Sequence, residues 1–317
     1  MPVAGTNDRY LRSEVAIPIA YEKMEPNLIW GDIIKNVKEE SNAFIYQYDS
    51  TGKSSDSKKK TPPPQTIGGK FPELDISRPT VTSGLLDSNG FSIRLTREVI
   101  RQAAGRNEIM RAYETAGFWL AEWINNAQIT AMTGGATTPT WTPTTTWDSA
   151  TATPVEDLRK FKYCMRREGY PYRLTDVYIH VDNYSELEGY LASLDVNAPK
   201  QQSVFGMPAS GDSVYIPIAG ANIHGLDSGI TEGYVFGMDR NNPGAETHYY
   251  VDPQFSIVRV PYSTIVNGSK VSKSVPNIGI HFSQYTEDDT HDTVMQFWVE
   301  QRTVVNRAYA LLYDSGI

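Results

Sequence analysis

The chain has 317 residues and a mass of 35.4 kDa, about twice the commonest domain size, so two lobes or one elaborated fold are expected. Against 37 acidic residues stand 29 basic ones; the net charge of −8 and pI near 5.2 argue against wrapping nucleic acid with clustered positive charge. The one cysteine, Cys164, excludes an intrachain disulfide framework and a zinc site of paired thiolates, and 40% hydrophobic with 21% charged residues place the chain in the globular range.

The N-terminal stretch holds no apolar run long enough for a signal peptide, and no window reaches the length of a membrane helix, so a soluble chain from a reducing compartment is expected. The N-x-S triplets at Asn183 and Asn267 then carry no meaning as glycosylation sites. Over 1–41, Pro2, Pro18 and Pro26 interrupt short apolar pieces, which predicts an extended arm without a continuous helix.

Residues 42–83 read as one long hairpin. The aromatic and β-branched run 44–49 suits a strand, a return strand is predicted from about Glu73 to Val81, and the tip between them is rich in Ser, Lys, Pro and Gly. A protruding two-stranded ribbon is not stable alone in water, so it is expected to dock on a neighbouring molecule. Next, Phe91, Ile93 and Leu95 alternate along a strand, and Thr96 caps a short helix ending at Gly105. From Asn107 to about Met132 the residues Ile109, Tyr113, Ala116, Leu120, Ile124, Ala127 and Ala131 form a helical stripe, with Phe118, Trp119 and Trp123 off it. A helix apolar on more than one side is expected to be covered on more than one side.

The Thr-rich stretch 133–153 ends that helix, and with Trp141 and Trp147 it reads as a surface connector or, less simply, a carbohydrate-binding loop. Thr153, Pro154 and Glu156 announce the next helix, which runs to Gly169. Residues 176–181 predict a strand and 183–194 a short helix, followed over 200–285 by short strands between Gly, Pro and Asn turns. The last strands, 278–285 and 293–314, are joined by an acidic turn at Asp288, Asp289 and Asp292.

This order of parts resembles the major capsid protein of tailed double-stranded DNA viruses, with the α+β Hong Kong 97-type capsid fold, and the resemblance covers essentially the whole chain. It implies an N-terminal arm (1–41), an extended β-hairpin loop (42–83) and a peripheral domain (84–153) with a spine helix at 107–132. It further implies a mixed α/β axial domain (mainly 154–285) and C-terminal strands (286–317) returning to the peripheral domain. The function it implies is a structural protein that assembles with itself, as pentamers and hexamers, into an icosahedral shell around double-stranded DNA. A separate scaffold, portal and cement protein are compatible with that; packaged DNA would be held without sequence-specific contacts, and no membrane or cofactor is called for. The location implied is the virion, assembled in the host cytoplasm. Rival readings are the shell of a cellular nanocompartment enclosing enzyme cargo, a tail or fibre binding module, and a hydrolase.

Physical reasoning points the same way, since an arm, a ribbon and a two-faced helix have apolar surface that a small monomer cannot bury and that copies in a shell can cover. Suspected inter-subunit contacts are Lys53, Lys58, Lys59 and Lys60 in the loop and Trp119 and Trp123 on the long helix. Some shells of this kind carry a lysine–asparagine isopeptide; Lys53, Lys58, Lys59, Lys60 and Lys70 lie in the right region, but the bland reading is a solvated basic tip.

Catalytic patterns are weak. His180, His224, His248, His281 and His291 form no zinc spacing, and Glu287, Asp288, Asp289, His291 and Asp292 read as a solvated turn before a cation site. Cys164 sits in the apolar register of a helix, where a cysteine behaves as a small hydrophobe, so a dyad with His180 is not favoured. Gly68, Gly69 and Lys70 are followed by Phe71, which is not a phosphate loop. No catalytic residue and no metal ligand is assigned.

Overall fold

The structure, a computed structural model, describes residues 11–31, 33–48, 80–102, 105–138, 143, 145–149, 151–167, 172–194, 215–218, 221–227, 229–266, 269–287 and 291–317. The helices are α1 (Ser13–Met24), α2 (Arg97–Arg101), α3 (Gly105–Gly135), α4 (Pro154–Arg167) and α5 (Val181–Leu194). The first strands are β1 (Lys35–Glu39), β2 (Ala43–Tyr48), β3 (Thr80–Leu85), β4 (Asp87–Leu95), β5 (Asp176–His180), β6 (Tyr215–Ile218) and β7 (Ala221–Leu226). They are followed by β8 (Tyr234–Met238), β9 (Ala245–Tyr250), β10 (Ile257–Val266), β11 (Ser269–Pro276), β12 (Ile280–Thr286), β13 (Thr293–Val305) and β14 (Leu311–Ser315). Two compact units divide the chain, one of 1–45, 83–128 and 247–303, the other of 46–82, 129–246 and 304–317. Residues 247–285 therefore group with the first unit, and 129–153 and the C-terminal 304–317 with the second, a division that differs from the sequence expectation at all three places.

In the first unit, α1 replaces the extended conformation expected of the arm. Pro18 lies inside this helix and removes one backbone hydrogen bond, a cost of about 3 kcal/mol in a helix interior. Ala16, Ile17, Ala20, Tyr21 and Met24 form one face of α1 and are all at most 4% exposed. Burying side chains the size of Ile17 and Met24 contributes about 1.5–3 kcal/mol each, which outweighs the lost bond. That face lies on α3: a Cβ at Gly117 would stand 2.3 Å from the Ala20 carbonyl oxygen, so only glycine admits α1 at this distance.

Helix α3 has 31 residues, longer than predicted and roughly 46 Å at 1.5 Å per residue. Of its predicted stripe, Ile109, Tyr113, Ala116, Leu120 and Ile124 are buried and Ala127 and Ala131 are half-buried. The stripe meets a sheet in the order β1-β9-β13-β12, with β4 also paired to β13. Phe91 stands opposite Phe297 and Ile93 opposite Met295 in antiparallel register. Phe91, Ile93 and Leu95 alternate toward the core as their spacing predicts, and Tyr113 meets Phe297 edge-on at 5.7 Å. Thr96 caps α2 by accepting from the Val99 N–H.

The second unit is built on a five-stranded sheet in the order β14-β8-β5-β7-β6, in which β5 and β7 are parallel. Val177 and Ile179 of β5 share one face, with Phe161 and Cys164 of α4 and Leu187 of α5 in the same apolar cluster. Trp147 joins that cluster at 5% exposure, so this tryptophan of the Thr-rich stretch is a core residue and not part of a surface connector. The final segment is not one strand: it breaks between β13 and β14, where Asn306 and Arg307 donate to the Gly244 carbonyl, and β14 then pairs antiparallel with β8. Helix α5 begins directly after β5, two residues before the predicted start, because the His180 Nδ1 accepts the Asp182 N–H at 3.3 Å and satisfies one of its free donors.

Candidate interaction surface

The root of the ribbon is built on buried contacts within the first unit. Phe44 is 2% exposed, and its ring lies on the His248 imidazole with centroids 4.1 Å apart and planes at 22°. His248 Nδ1 is 2.6 Å from Glu39 Oε1, which fixes the imidazole against β1. Gly84 lies over the other side of the Phe44 ring, where a Cβ would come within 2.5 Å of it. The Leu86 N–H donates to the Asn42 carbonyl at 2.9 Å and Arg302 Nη1 donates to the Leu85 carbonyl at 3.2 Å.

The opposite faces of these strands carry exposed apolar side chains. Alternation along β2 places Ile45 on the side away from Phe44, and alternation along β3 places Val81 and Leu85 away from Gly84. Ile45 is 70% exposed, Val81 64% and Leu85 61%. Side chains of this size gain about 1.5–3 kcal/mol each when fully buried, so a partner that covers the strand face is favoured.

The two tryptophans singled out on the long helix part company. Trp123 is half-buried against the core, whereas Trp119 is 52% exposed and touches Phe91 edge-on at 5.1 Å. Phe118 beside it is 49% exposed. Helical spacing alone does not separate Trp119 from Trp123. Lys53, Lys58, Lys59, Lys60 and Lys70 lie outside the described residues, as do the tip of the hairpin and most of its predicted return strand. Sequence reasoning also missed Phe44, His248 and Glu39 as the anchor of the ribbon, because the three come from β1, β2 and β9.

The histidines and acids sit in structural roles. Asp176 is fully buried and takes His224 Nε2 at 3.2 Å, Asn222 Nδ2 at 3.4 Å and Thr175 Oγ1 at 2.8 Å. Burial alone would raise its pKa, but hydrogen bonds from His224, Thr175 and Asn222 outweigh it and hold the carboxyl below its ordinary value. His281 lies between the rings of Tyr250 and Trp298, at 5.5 and 5.3 Å, and burial lowers its pKa more than the nearby carboxylates raise it. In the acidic turn, Glu287 pairs with Arg94 and Asp292 accepts the Arg97 N–H at 3.3 Å, so these two acids bind β4 and the start of α2. Asp288 and Asp289 lie outside the described residues.

Among the described residues no group of three or more His, Cys, Asp and Glu is placed to hold a metal, and no helix is long and apolar enough to cross a membrane. Cys164 is buried at 2% exposure in the second unit's core. A cavity lined by Trp147, Asp157, Leu158, Phe161, Val235 and Ile317 has about 10 Å³ of room, enough for one water.

No protein-family model matches the chain, and no curated protein sequence is significantly similar to it. Solved structures are. A virus-like particle from Pyrococcus furiosus superposes with a TM-score of 0.55 at 10% identity, covering 97% of this chain and 98% of the other. The capsid of cyanophage A-1(L) gives 0.52 at 10% identity, covering 91% and 92%. The holo-SrpI encapsulin complex from Synechococcus elongatus gives 0.53 at 10% identity, covering 89% and 85%. The chain therefore has the mixed helix-and-strand fold of Hong Kong 97-type capsid proteins.

Proposed function

We propose that this chain is a major capsid protein, which assembles with itself into a closed icosahedral shell around double-stranded DNA. The observation that carries the reading is the match over nearly the whole of both chains to proteins of capsids and particles. The exposed apolar faces of β2 and β3 and the Phe118–Trp119 edge of α3 supply surface that further copies cover.

In this reading the first unit acts as the peripheral domain and the second as the axial domain. The 42–83 ribbon reaches a neighbouring subunit, with Lys53, Lys58, Lys59 and Lys60 toward its tip and Trp119 and Trp123 at or beside contacts. Pentamers and hexamers form around the axial domains. Scaffold, portal and cement proteins act as separate chains, and the shell is assembled in the host cytoplasm before it becomes part of the virion. The shell itself performs no catalysis.

Sedimentation of the purified full-length chain, beside a variant lacking 50–66, tests this. The intact chain is expected to sediment as large closed particles, and the deletion to give a folded small species. Particles of normal stability from the deletion variant would remove the ribbon from the mechanism. A second reading, a nanocompartment shell around enzyme cargo, is favoured by the likeness to the encapsulin complex. It predicts particles that co-purify with a protein cargo and without nucleic acid.

A further inference from the structure

The acidic net charge conceals one strongly basic surface. Helix α4 carries Arg159, Lys160, Lys162, Arg166 and Arg167, and Arg173 follows shortly after it. Leu158, Phe161, Cys164 and Met165 turn into the core of the second unit. Arg159, Tyr163, Arg166 and Arg167, at steps of four, three and one, fall on the opposite, exposed side, and Arg173 is exposed too. Glu156, the exposed acid of α4 among the described residues, is taken by Lys160 at 3.2 Å, which leaves the arginines in excess.

Tyr163 organises this surface. The Lys162 ammonium stands 5.5 Å from its ring centroid and the Arg173 guanidinium 5.9 Å. Lys162 itself is buried beneath this side, and burial first, then the like charge of Arg173, lowers its pKa. Arg166 and Arg167 also oppose the dipole at the end of α4, but Arg159 and Arg173 lie outside the last turn and that role does not account for them.

We propose that the exposed side of α4, with Arg159, Arg166, Arg167 and Arg173 around Tyr163, is a contact surface for the phosphate backbone of duplex DNA. Guanidinium groups match phosphate oxygens with paired donors, and a helix side with several of them follows a charged backbone without reading bases. A protein partner is less well matched, because the core of such an interface is depleted in charge and this side offers one half-exposed aromatic ring. The inference deepens the capsid reading and rests on it for the identity of the DNA: α4 of the axial domain would then line the inner wall of the shell. The net negative charge belongs to the chain as a whole, whereas this side of α4 is locally basic.

The test measures binding of a labelled random-sequence 30-base-pair duplex, across a salt series, to the unassembled fraction of the purified full-length chain, separated by sedimentation because a closed shell would keep added duplex from its inner wall. Four phosphate contacts predict a slope of log affinity against log salt of about −3.6. Replacing Arg159, Arg166 and Arg167 together by Ala is expected to bring the slope to about −1 and to weaken binding at least tenfold at low salt. A control with Arg97→Ala, Arg101→Ala and Arg111→Ala, where Glu98, Glu108 and Glu114 lie nearby in sequence, is expected to stay within about twofold of the intact chain. Circular dichroism and thermal melting establish that both triple variants are folded. Unchanged affinity and slope in the α4 variant overturn the proposal, as does absence of duplex binding by the intact chain. Normal DNA binding with loss of particles also overturns it and assigns the surface to an acidic face of a neighbouring copy; particle formation is read separately, so the capsid reading stands or falls by itself.

Discussion

The ring of Phe44 lies flat on the imidazole of His248, 4.1 Å between centroids, and the same imidazole takes Glu39 at 2.6 Å. A residue of β2 is thereby fixed to β9 and, through Glu39, to the edge strand β1 of the first unit. This contact holds at its base a pair of strands that is not stable alone in water, and the capsid reading leaves its other face for a neighbour.

Phe44→Ala is expected to cost about 3–5 kcal/mol, the usual range for emptying a buried phenylalanine site. Gly84→Val is expected to act at the same place from the other side, since its Cβ alone would approach the Phe44 ring to 2.5 Å. Urea unfolding gives the magnitude of each. Limited proteolysis is expected to cut both variants faster between 49 and 79 than the parent; an unchanged cleavage rate would show that Phe44 does not govern the ribbon.

Ile45→Asp combined with Leu85→Asp separates folding from assembly. Both side chains are more than 60% exposed, so the folded chain is expected to lose no more than about 1 kcal/mol. Particle yield in sedimentation is expected to fall sharply, because each carboxylate would be buried without a partner when a neighbour covers the strand face. Full particle yield would show that this face is not covered in the assembly.

Gly117→Ala places two magnitudes in opposition. Alanine favours a helix interior over glycine by about 1 kcal/mol. Its methyl group would meet the Ala20 carbonyl oxygen at 2.3 Å, a backbone atom that moves only with α1, and such overpacking costs about 1–3 kcal/mol. A net loss of up to about 2 kcal/mol in urea unfolding is expected. A stabilised variant would mean that α1 does not lie this close to α3.

His281 predicts a pH dependence. Its pKa in the folded chain is lowered from the ordinary 6.5, mainly by burial, so just below that pH the unfolded chain binds more protons than the folded one. Its contribution to stability is present above about pH 6.5 and is lost as pH falls toward the folded value. His281→Phe, which keeps an aromatic ring between Tyr250 and Trp298, is expected to flatten the fall in thermal stability between pH 7 and 5. The same slope in parent and variant would place the titrating group elsewhere.

What was legible in the sequence was periodic. The alternation of Phe91, Ile93 and Leu95 found β4, and the stripe from Ile109 to Ile124 found α3, because each pattern is a direct record of one buried face. Helix α1 was not legible because Pro18 is a strong local signal, while the face that outweighs it is settled only by contact with α3 at Gly117. Phe44 was found as a strand residue, but its stacking on His248 joins distant parts of the chain that no local pattern links. Trp119 and Trp123 were legible as a pair and not as one exposed and one half-buried residue. The basic side of α4 was hidden by the opposite charge of the whole, since net charge averages over faces that a partner meets one at a time.

The most direct test of the central claim is electron microscopy of the purified full-length chain, with crowding agent or high salt added where particles do not form at once. Closed, regular particles tens of nanometres across are expected. A monomer or dimer that persists under every such condition would contradict the claim and would favour a small-oligomer binding module built on the same fold.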